Sequence, residues 1–84
     1  MKYYLLLILL TNRIKEAFEV QKVLTEFGCF IKARLGLHEA TDNICSDKGL
    51  MVLQLIGKER DHLKLKEKLE SINGIKVQYI IMEE

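Results

Sequence analysis

The chain has 84 residues, of which 49% are apolar and 30% charged, with 13 basic and 12 acidic residues and a formal net charge of +1. This length suits one small domain over residues 1–84, and the composition excludes a disordered chain. The balanced charge excludes strong attraction to nucleic acid or to an anionic membrane surface. We therefore expect a globular domain with no direct nucleic-acid or membrane partner.

The first predicted element is a strand over residues 3–10, an uninterrupted apolar run that ends at Thr11 and Asn12. The run imitates a secretion signal, but no pair of small residues suited to cleavage follows it, and it is too short to span a bilayer. We expect a buried strand, a cytoplasmic protein and reduced thiols at Cys29 and Cys45.

Helical spacing extends from Arg13 to Phe27. Asn12 is placed to cap the start of this helix, and Gly28 has the position at which a glycine often ends one. The residues predicted to face the core are Ala17, Val20, Val23, Leu24 and Phe27. The residues predicted to face solvent are Glu16, Glu19, Gln21, Lys22 and Glu26.

A second strand is predicted over residues 29–35, where apolar and polar residues alternate and Cys29 falls on the core side with Ile31. The polar stretch that follows is predicted to be a mobile, solvated loop over 38–48. Its Asp42-Asn43 and Asp47-Lys48-Gly49 segments are typical of turns.

The second half of the chain repeats the order of the first. A strand over 50–56 precedes a helix from about Arg60 to Ile72, and Asn73-Gly74 separates this helix from a last strand over 75–82. Leu65, Leu69 and Ile72 are predicted to face inward. His62, at the start of the helix, is predicted to lie on the surface.

Two successive βαβ halves predict an α+β fold, the ferredoxin-like βαββαβ sandwich, with two helices on one face of a four-stranded antiparallel sheet. Strands 3–10 and 50–56 are expected in the centre because both of their faces are apolar. Since helices cover one face only, an apolar face remains open. We expect the chain to form a homo-oligomer, at least a dimer, through that face.

No arrangement of residues in the sequence indicates catalysis or a cofactor. Strand 50–56 lacks the stacking aromatic residues of an RNA recognition motif. The turn after the first strand has neither the CxxC of soft-metal carriers nor the glycine-rich phosphate cradle of acylphosphatases. We therefore expect that the protein is not an enzyme and holds no cofactor.

His38 and Cys45 carry atoms that zinc, nickel or iron accept as ligands. They lack the i, i+4 spacing of a helical metal motif, and nothing elsewhere supplies a second pair of ligands. A solvated loop is therefore the favoured interpretation, and a metal or redox sensor using His38 and Cys45 is an alternative.

Two stretches of sequence resemble those of the ACT-like regulators of iron-only hydrogenase systems: VQKVLTEFGCFIKARLGL over 20–37 and INGIKVQYI over 72–80. In that family a helix ends in a glycine-containing turn, a strand ends in an Arg-x-Gly motif, here Arg34 and Gly36, and a glycine turn precedes the last strand. The resemblance implies a ferredoxin-like fold, a homo-oligomer built through sheets, and a regulatory role. This chain has His38 where members often have proline, and its first turn lacks the glycine of amino-acid-binding ACT domains.

We expect a non-catalytic regulatory or ligand-responsive module that acts through another protein or a small effector. If an effector binds, its expected place is at Thr11, Asn12 and Arg13, where backbone N–H groups at a helix start suit an anionic ligand. A structural subunit that binds no small molecule is the remaining alternative. The sequence has no helix-turn-helix, so control of transcription would require a separate DNA-binding protein.

Overall fold

The structure, a computed structural model, describes residues 1–40 and 45–84, and for residues 13, 14, 37–40 and 45–47 it describes the backbone only. The elements in chain order are strand β1 (Lys2–Leu10), helix α1 (Arg13–Glu26), a short 3-10 turn (Gly28–Phe30), strands β2 (Ile31–Ala40) and β3 (Cys45–Leu55), helix α2 (Glu59–Glu70) and strand β4 (Ile75–Glu83).

The four strands form one antiparallel sheet in the order β2-β3-β1-β4. The predicted ferredoxin-like βαββαβ fold is therefore confirmed, with β1 and β3 in the centre. Both central strands carry apolar side chains on both faces, whereas the edge strands carry charged residues such as Lys32 and Lys76.

The core lies between the sheet and the two helices. Leu6 and Ile8 of β1 and Leu53 of β3 are completely buried, as are Leu65 and Leu69 of α2. Helix α1 adds Val20, Val23 and Leu24. Each fully buried side chain of this kind stabilises the fold by about 1.5–3 kcal/mol.

Helix α1 buries Val20, Val23 and Leu24 as predicted, but its first turns differ from the prediction. Glu16 is buried and Ala17 is exposed, which is the reverse of the prediction. The reason is that the Glu16 carboxylate folds back over the start of its own helix. The predicted N-cap is confirmed, because the Asn12 side chain accepts a hydrogen bond from the Lys15 N–H.

The exit from α1 also differs from the prediction. Gly28 does not adopt the left-handed conformation of a helix-ending glycine; it begins the 3-10 turn. Because β2 starts only at Ile31, Cys29 lies in this turn and is exposed rather than facing the core. The alternation that placed Cys29 inward does not apply outside a strand.

The prediction of a loop over 38–48 is wrong for residues 38–40 and 45–48, because β2 continues to Ala40 and β3 begins at Cys45. Residues 41–44 of that prediction lie outside the described residues. His38 pairs with Gly49 and Ala40 with Cys45, with a bulge between the two pairs. The pairing of β1 with β3 ends where Leu10 meets Gly49. Beyond that point β2 and β3 pair only with each other. A pair of strands that lacks a third strand beside it accommodates polar residues.

Candidate functional site

An open cleft of ≈ 500 Å³ lies at the end of the sheet, where β1 leads into α1 and α2 leads into β4. Two of the predicted ligand-binding residues, Thr11 and Asn12, line it. The side chain of the third, Arg13, lies outside the described residues. The other lining residues are Lys15, Glu16, Glu19, Ser71, Ile72, Asn73 and Gly74.

The start of α1 is held by a reciprocal pair of hydrogen bonds. The Lys15 N–H donates to Asn12 Oδ1 over 3.2 Å, and the Asn12 N–H donates to Glu16 Oε1 over 2.8 Å. The arrangement resembles a capping box whose carboxylate comes one residue later than usual. It brings Glu16 to the end of the sheet and leaves the residue only 5% exposed.

The second wall of the cleft is the turn at Gly74, which has a positive φ of +88°. Both the backbone N–H and the hydroxyl of Thr11 approach the Gly74 carbonyl oxygen, at 3.3 and 2.8 Å respectively. A Cβ atom at position 74 would collide with Oε2 of Glu16. Glycine is therefore required both by the backbone conformation and by the nearby carboxylate.

The two oxygen atoms of Glu16 have different surroundings. Oε1 accepts the short bond from the Asn12 N–H, whereas the nearest donor to Oε2 among the described residues is the Thr11 hydroxyl, at 3.4 Å. That hydroxyl has one hydrogen, and its 2.8 Å approach to the Gly74 carbonyl oxygen is the better bond. The hydrogen bond to Oε2 is therefore the longer of the two contacts that the Thr11 hydroxyl makes.

This geometry bears on the predicted anionic ligand. The Asn12 N–H, one of the donors expected to serve an anion, already donates to Glu16. A ligand at Thr11, Asn12 and Arg13 stays a prediction. Sequence reasoning placed Glu16 toward solvent and so missed it. A carboxylate in the first turn, four residues after a capping asparagine, was the available signal.

The family motif residues Arg34 and Gly36 do not line the cleft. Nη2 of Arg34 donates a 2.7 Å hydrogen bond to Gln21 Oε1, which ties β2 to α1. Gly36 is exposed, with open space where a Cβ would be. Both residues therefore have positions at the sheet edge.

The structure describes the backbones of His38 and Cys45 but not their side chains. The alternative metal site at these two residues therefore stays a prediction. Their backbones occupy opposite strands of the hairpin, where neither is the other's pairing partner. Among the side chains that the structure describes, no group of three histidine, cysteine, aspartate or glutamate residues is arranged to hold a metal ion.

The prediction of a surface position for His62 is wrong, because its side chain is 0% exposed. Nε2 lies 2.7 Å from the carbonyl oxygen of Ile56, and Nδ1 lies 2.6 Å from the hydroxyl of Tyr79. A carbonyl oxygen only accepts, so Nε2 carries the hydrogen, and Nδ1 accepts from the Tyr79 hydroxyl. Tyr4 packs against the imidazole at 4.8 Å between ring centroids.

The pKa of Tyr79 is raised from the ordinary 10.0 to about 12, mainly by burial. The nearby Glu59 raises this pKa further, and Tyr4 makes a smaller contribution. Both ring nitrogens of His62 have a partner and the ring is enclosed. The cluster of Tyr4, His62 and Tyr79 is therefore a packed structural element.

The side of the sheet opposite the helices forms an apolar surface, here called the open face. The pairing of strands places Leu7 beside Val52, Leu5 beside Ile80 and Tyr3 beside Met82. The polar members of the same face are Gln54 beside Leu5, Gln78 beside Leu7 and Lys76 beside Leu9. The apolar members of the open face are Tyr3, Leu5, Leu7, Leu9, Leu35, Leu50, Val52, Ile80 and Met82, all of them half-buried or exposed.

Several solved structures are similar to this chain. An uncharacterised protein from Thermotoga maritima is 24% identical with a TM-score of 0.81, and the match covers 99% of this chain and 100% of that one. The ACT domain from the GTP pyrophosphokinase of Chlorobium tepidum is 19% identical with a TM-score of 0.67, covering 93% and 84% of the two chains.

The chain has the ferredoxin-like fold of ACT domains. A nitrogen regulatory PII-like protein from Thiomonas intermedia, bound to ADP, AMP and bicarbonate, is also similar, at 15% identity and a TM-score of 0.60 over 100% of this chain and 96% of that one. At these identities the likeness shows a shared fold. No family model and no curated protein matches the chain. Within the described residues, no helix is long and apolar enough to cross a membrane.

Proposed function

We propose that residues 1–84 form one non-catalytic regulatory domain, which pairs with a second copy through the open face and binds a small effector in the cleft. The effector site includes Thr11, Asn12 and Arg13. The module acts in the cytoplasm on another protein, without contacting nucleic acid or membrane directly.

The continuity between the open face and the cleft is the observation that carries this proposal. Leu9 pairs with Lys76 at the end of the face, and Leu10 then pairs with Ile75. One residue further along β1, Thr11 contacts Gly74 in the cleft. An effector held there contacts the turns that directly adjoin these two strands, so its binding free energy can be coupled to association of the two copies.

The area and character of the open face favour a second copy as its partner. Four strands about 4.8 Å apart make a surface of several hundred Å², which is as large as the biggest apolar patch on a typical monomer. Two sheets commonly pack face to face, and a two-fold symmetric dimer brings the same face of both copies together.

Two of the similar structures support a regulatory class by their descriptions, an ACT domain of a GTP pyrophosphokinase and a nitrogen regulatory PII-like protein. For the biological setting we propose an iron-only hydrogenase system. The support for this part is the sequence resemblance over residues 20–37 and 72–80.

The test is to purify the native protein with its partners under anaerobic conditions and to identify the proteins and metabolites that accompany it. Each metabolite is then added to the isolated chain while light scattering measures its mass. We expect a metabolite that changes the oligomeric state or its stability. Turnover of a substrate by the isolated chain would contradict the proposal, and a chain that binds no small molecule would favour a structural subunit.

A further inference from the structure

We propose that strand β4 pairs antiparallel with β4 of a second copy of the chain, so that the two sheets continue into one. The pairing uses the edge of the sheet, whereas the proposed function uses the open face, and the inference therefore goes beyond that function. Both contacts can form in one assembly because they occupy different surfaces of the same sheet.

The outer edge of β4 carries a row of backbone groups that are available for pairing. The Glu84 N–H donates to the Met1 carbonyl oxygen at one end of the strand, and the Thr11 N–H donates to the Gly74 carbonyl oxygen at the other. Backbone groups of successive residues point to alternate sides of a strand, so the even-numbered residues of β4 bond to β1. The N–H groups that point outward are those of Val77, Tyr79, Ile81 and Glu83. Among the residues that the structure describes, none accepts a hydrogen bond from these N–H groups.

The other edge strand, β2, is less suited to pairing with another chain than β4 is. The register of β4 with β1 is unbroken along the whole strand, and residues 77–82 are uncharged. In contrast, β2 has a bulge near each end of its register with β3 and carries Lys32 and Arg34. Bulges and charges are the features that protect an edge strand from pairing with another chain.

A two-fold axis through Tyr79, perpendicular to the sheet, pairs the whole of β4 with its copy. Tyr79 then lies opposite Tyr79 of the second copy, and Val77 lies opposite Ile81. All of these residues direct their backbone groups outward, so each N–H meets a carbonyl oxygen. The axis also keeps the helices of both copies on the same side of the continued sheet.

Helix α2 supplies a second contact across this junction. It packs on β4 and, in a continued sheet, lies two strand spacings from its copy, a distance of about 9.6 Å that suits helices packed side by side. Lys68 reaches Glu26 of α1, and Leu63 points about 140° away from Lys68 around the helix. Leu63 therefore faces the junction, where its 52% exposed side chain becomes covered.

The charges beside Leu63 favour a second copy as the occupant of this edge. Glu59 and Lys66 lie on the same side of α2 as Leu63, one turn before it and one turn after it. When two copies of α2 run antiparallel around Leu63, Glu59 of each copy meets Lys66 of the other. The edge is thus complementary to itself in backbone hydrogen bonds, in apolar contact and in charge.

The first test compares two substitutions of Ile81 by analytical ultracentrifugation. Proline at this position removes an outward N–H and leaves the hydrogen bonds to β1 intact, so Ile81→Pro blocks the pairing without breaking the sheet. Ile81→Val keeps the N–H and is the matched control. We expect half the wild-type mass for Ile81→Pro and the full mass for Ile81→Val, with both variants folded by circular dichroism. Equal masses for the wild type and a folded Ile81→Pro would overturn the proposal.

Amide hydrogen exchange, followed by NMR, tests the same pairing in the wild type and does not require the proline variant to fold. The Tyr79 N–H should exchange as slowly as the N–H groups of Gln78 and Ile80, which bond to β1 or lie on its side of the strand. Fast exchange at Tyr79 beside slow exchange at Gln78 and Ile80 would overturn the proposal. So would protection of Tyr79 that develops only after another protein is added.

Glutamate on two sides of α2 tests the helix contact. Leu63→Glu places like charges on both sides of the two-fold axis, whereas Lys64→Glu changes a residue that lines a groove with Phe27 of α1. We expect Leu63→Glu to halve the mass and to speed the exchange of the Tyr79 N–H by at least about tenfold, and Lys64→Glu to change neither. The wild-type mass in a folded Leu63→Glu would overturn the proposal.

Leu7→Lys distinguishes this inference from the proposed function. Lysine on the open face should leave the edge pairing intact and give twice the mass of the 9.8 kDa chain. A folded Leu7→Lys protein of 9.8 kDa would overturn the edge pairing and leave the open-face pairing standing. The full wild-type mass in Leu7→Lys, together with half that mass in Ile81→Pro, would support the edge pairing and contradict the open-face pairing.

Discussion

The hydroxyl of Tyr79 donates a hydrogen bond to Nδ1 of His62 over 2.6 Å. This bond joins β4 to α2, and the other ring nitrogen joins α2 to the end of β3 by donating to the Ile56 carbonyl oxygen. A single buried imidazole thus connects three successive elements of the second half of the chain. Its hydrogen-bonding capacity is fully used, which is the condition under which a buried polar group stabilises a fold.

Replacing Tyr79 by phenylalanine should change how stability depends on alkaline pH. The unfolded chain loses the hydroxyl proton near the ordinary pKa of 10.0, whereas the folded protein keeps it to about 12. The free energy of unfolding therefore falls as the pH rises from 10.0 toward about 12 in the wild type. Urea denaturation over this range should show a smaller fall for Tyr79→Phe; an identical fall in both proteins would contradict the assignment.

Replacing His62 by alanine should lower the free energy of unfolding by about 2–4 kcal/mol, because it leaves a cavity and removes a partner from Tyr79 and Ile56. Lys64→Ala, on the exposed side of the same helix, should change it by no more than about 0.5 kcal/mol. Chemical denaturation measures both. Similar losses in the two variants would mean that the helix, and not the buried ring, is responsible.

Lysine at positions 6 and 7 should have different effects. Leu6 is completely buried under the helices, so a charge there costs several kcal/mol, a large part of the about 5–15 kcal/mol that stabilises a typical domain. Leu7 lies on the open face, where lysine should leave the chain folded and separate the oligomer. Circular dichroism reports folding and light scattering reports mass. A wild-type protein of 9.8 kDa at micromolar concentration would contradict the oligomer itself.

Alanine at Gly74 should destabilise the protein by about 1–3 kcal/mol, because the position has a positive φ and its Cβ would collide with the Glu16 carboxylate. Alanine at Gly36 is the matched control, with open space around the added atom. There the free energy of unfolding should be unchanged or higher by up to about 1 kcal/mol. Thermal unfolding that ranks the two variants in the opposite order would refute this account of the turn.

Elemental analysis of protein purified without chelators should find no stoichiometric zinc, nickel or iron. The alternative of a metal or redox sensor predicts a bound metal that disappears in His38→Ala or Cys45→Ala. Matched samples of these variants and the wild type decide between the two. A stoichiometric metal in the wild type that both variants lose would establish the sensor in place of the solvated hairpin.

Strand order and the asparagine cap could be predicted from the sequence because both depend on local chemistry. Two uninterrupted apolar runs identify the central strands, which have a neighbouring strand at each edge, and a short polar side chain before a helical stretch supplies the first acceptor. The fold class followed from the order of these elements. The end of β2 and the start of β3 were missed. These segments extend past the end of β1 and carry polar residues, so hydrophobicity does not mark them as strands.

The sequence by itself thus determined the elements, their order and the existence of an apolar face without a helix over it. Only the tertiary structure decided which face that is, because Leu6 and Leu7 are equally apolar and the packing of two helices chooses between them. Only the tertiary structure buried Glu16 and His62. The ring nitrogens of His62 are satisfied by the Ile56 carbonyl oxygen and the Tyr79 hydroxyl, which lie outside its own helix, and a polar residue enters a core when its hydrogen bonds are satisfied there. The hydrogen bonds of Glu16 come from its neighbours Thr11 and Asn12, and the turn at Gly74, distant along the chain, lies against its carboxylate.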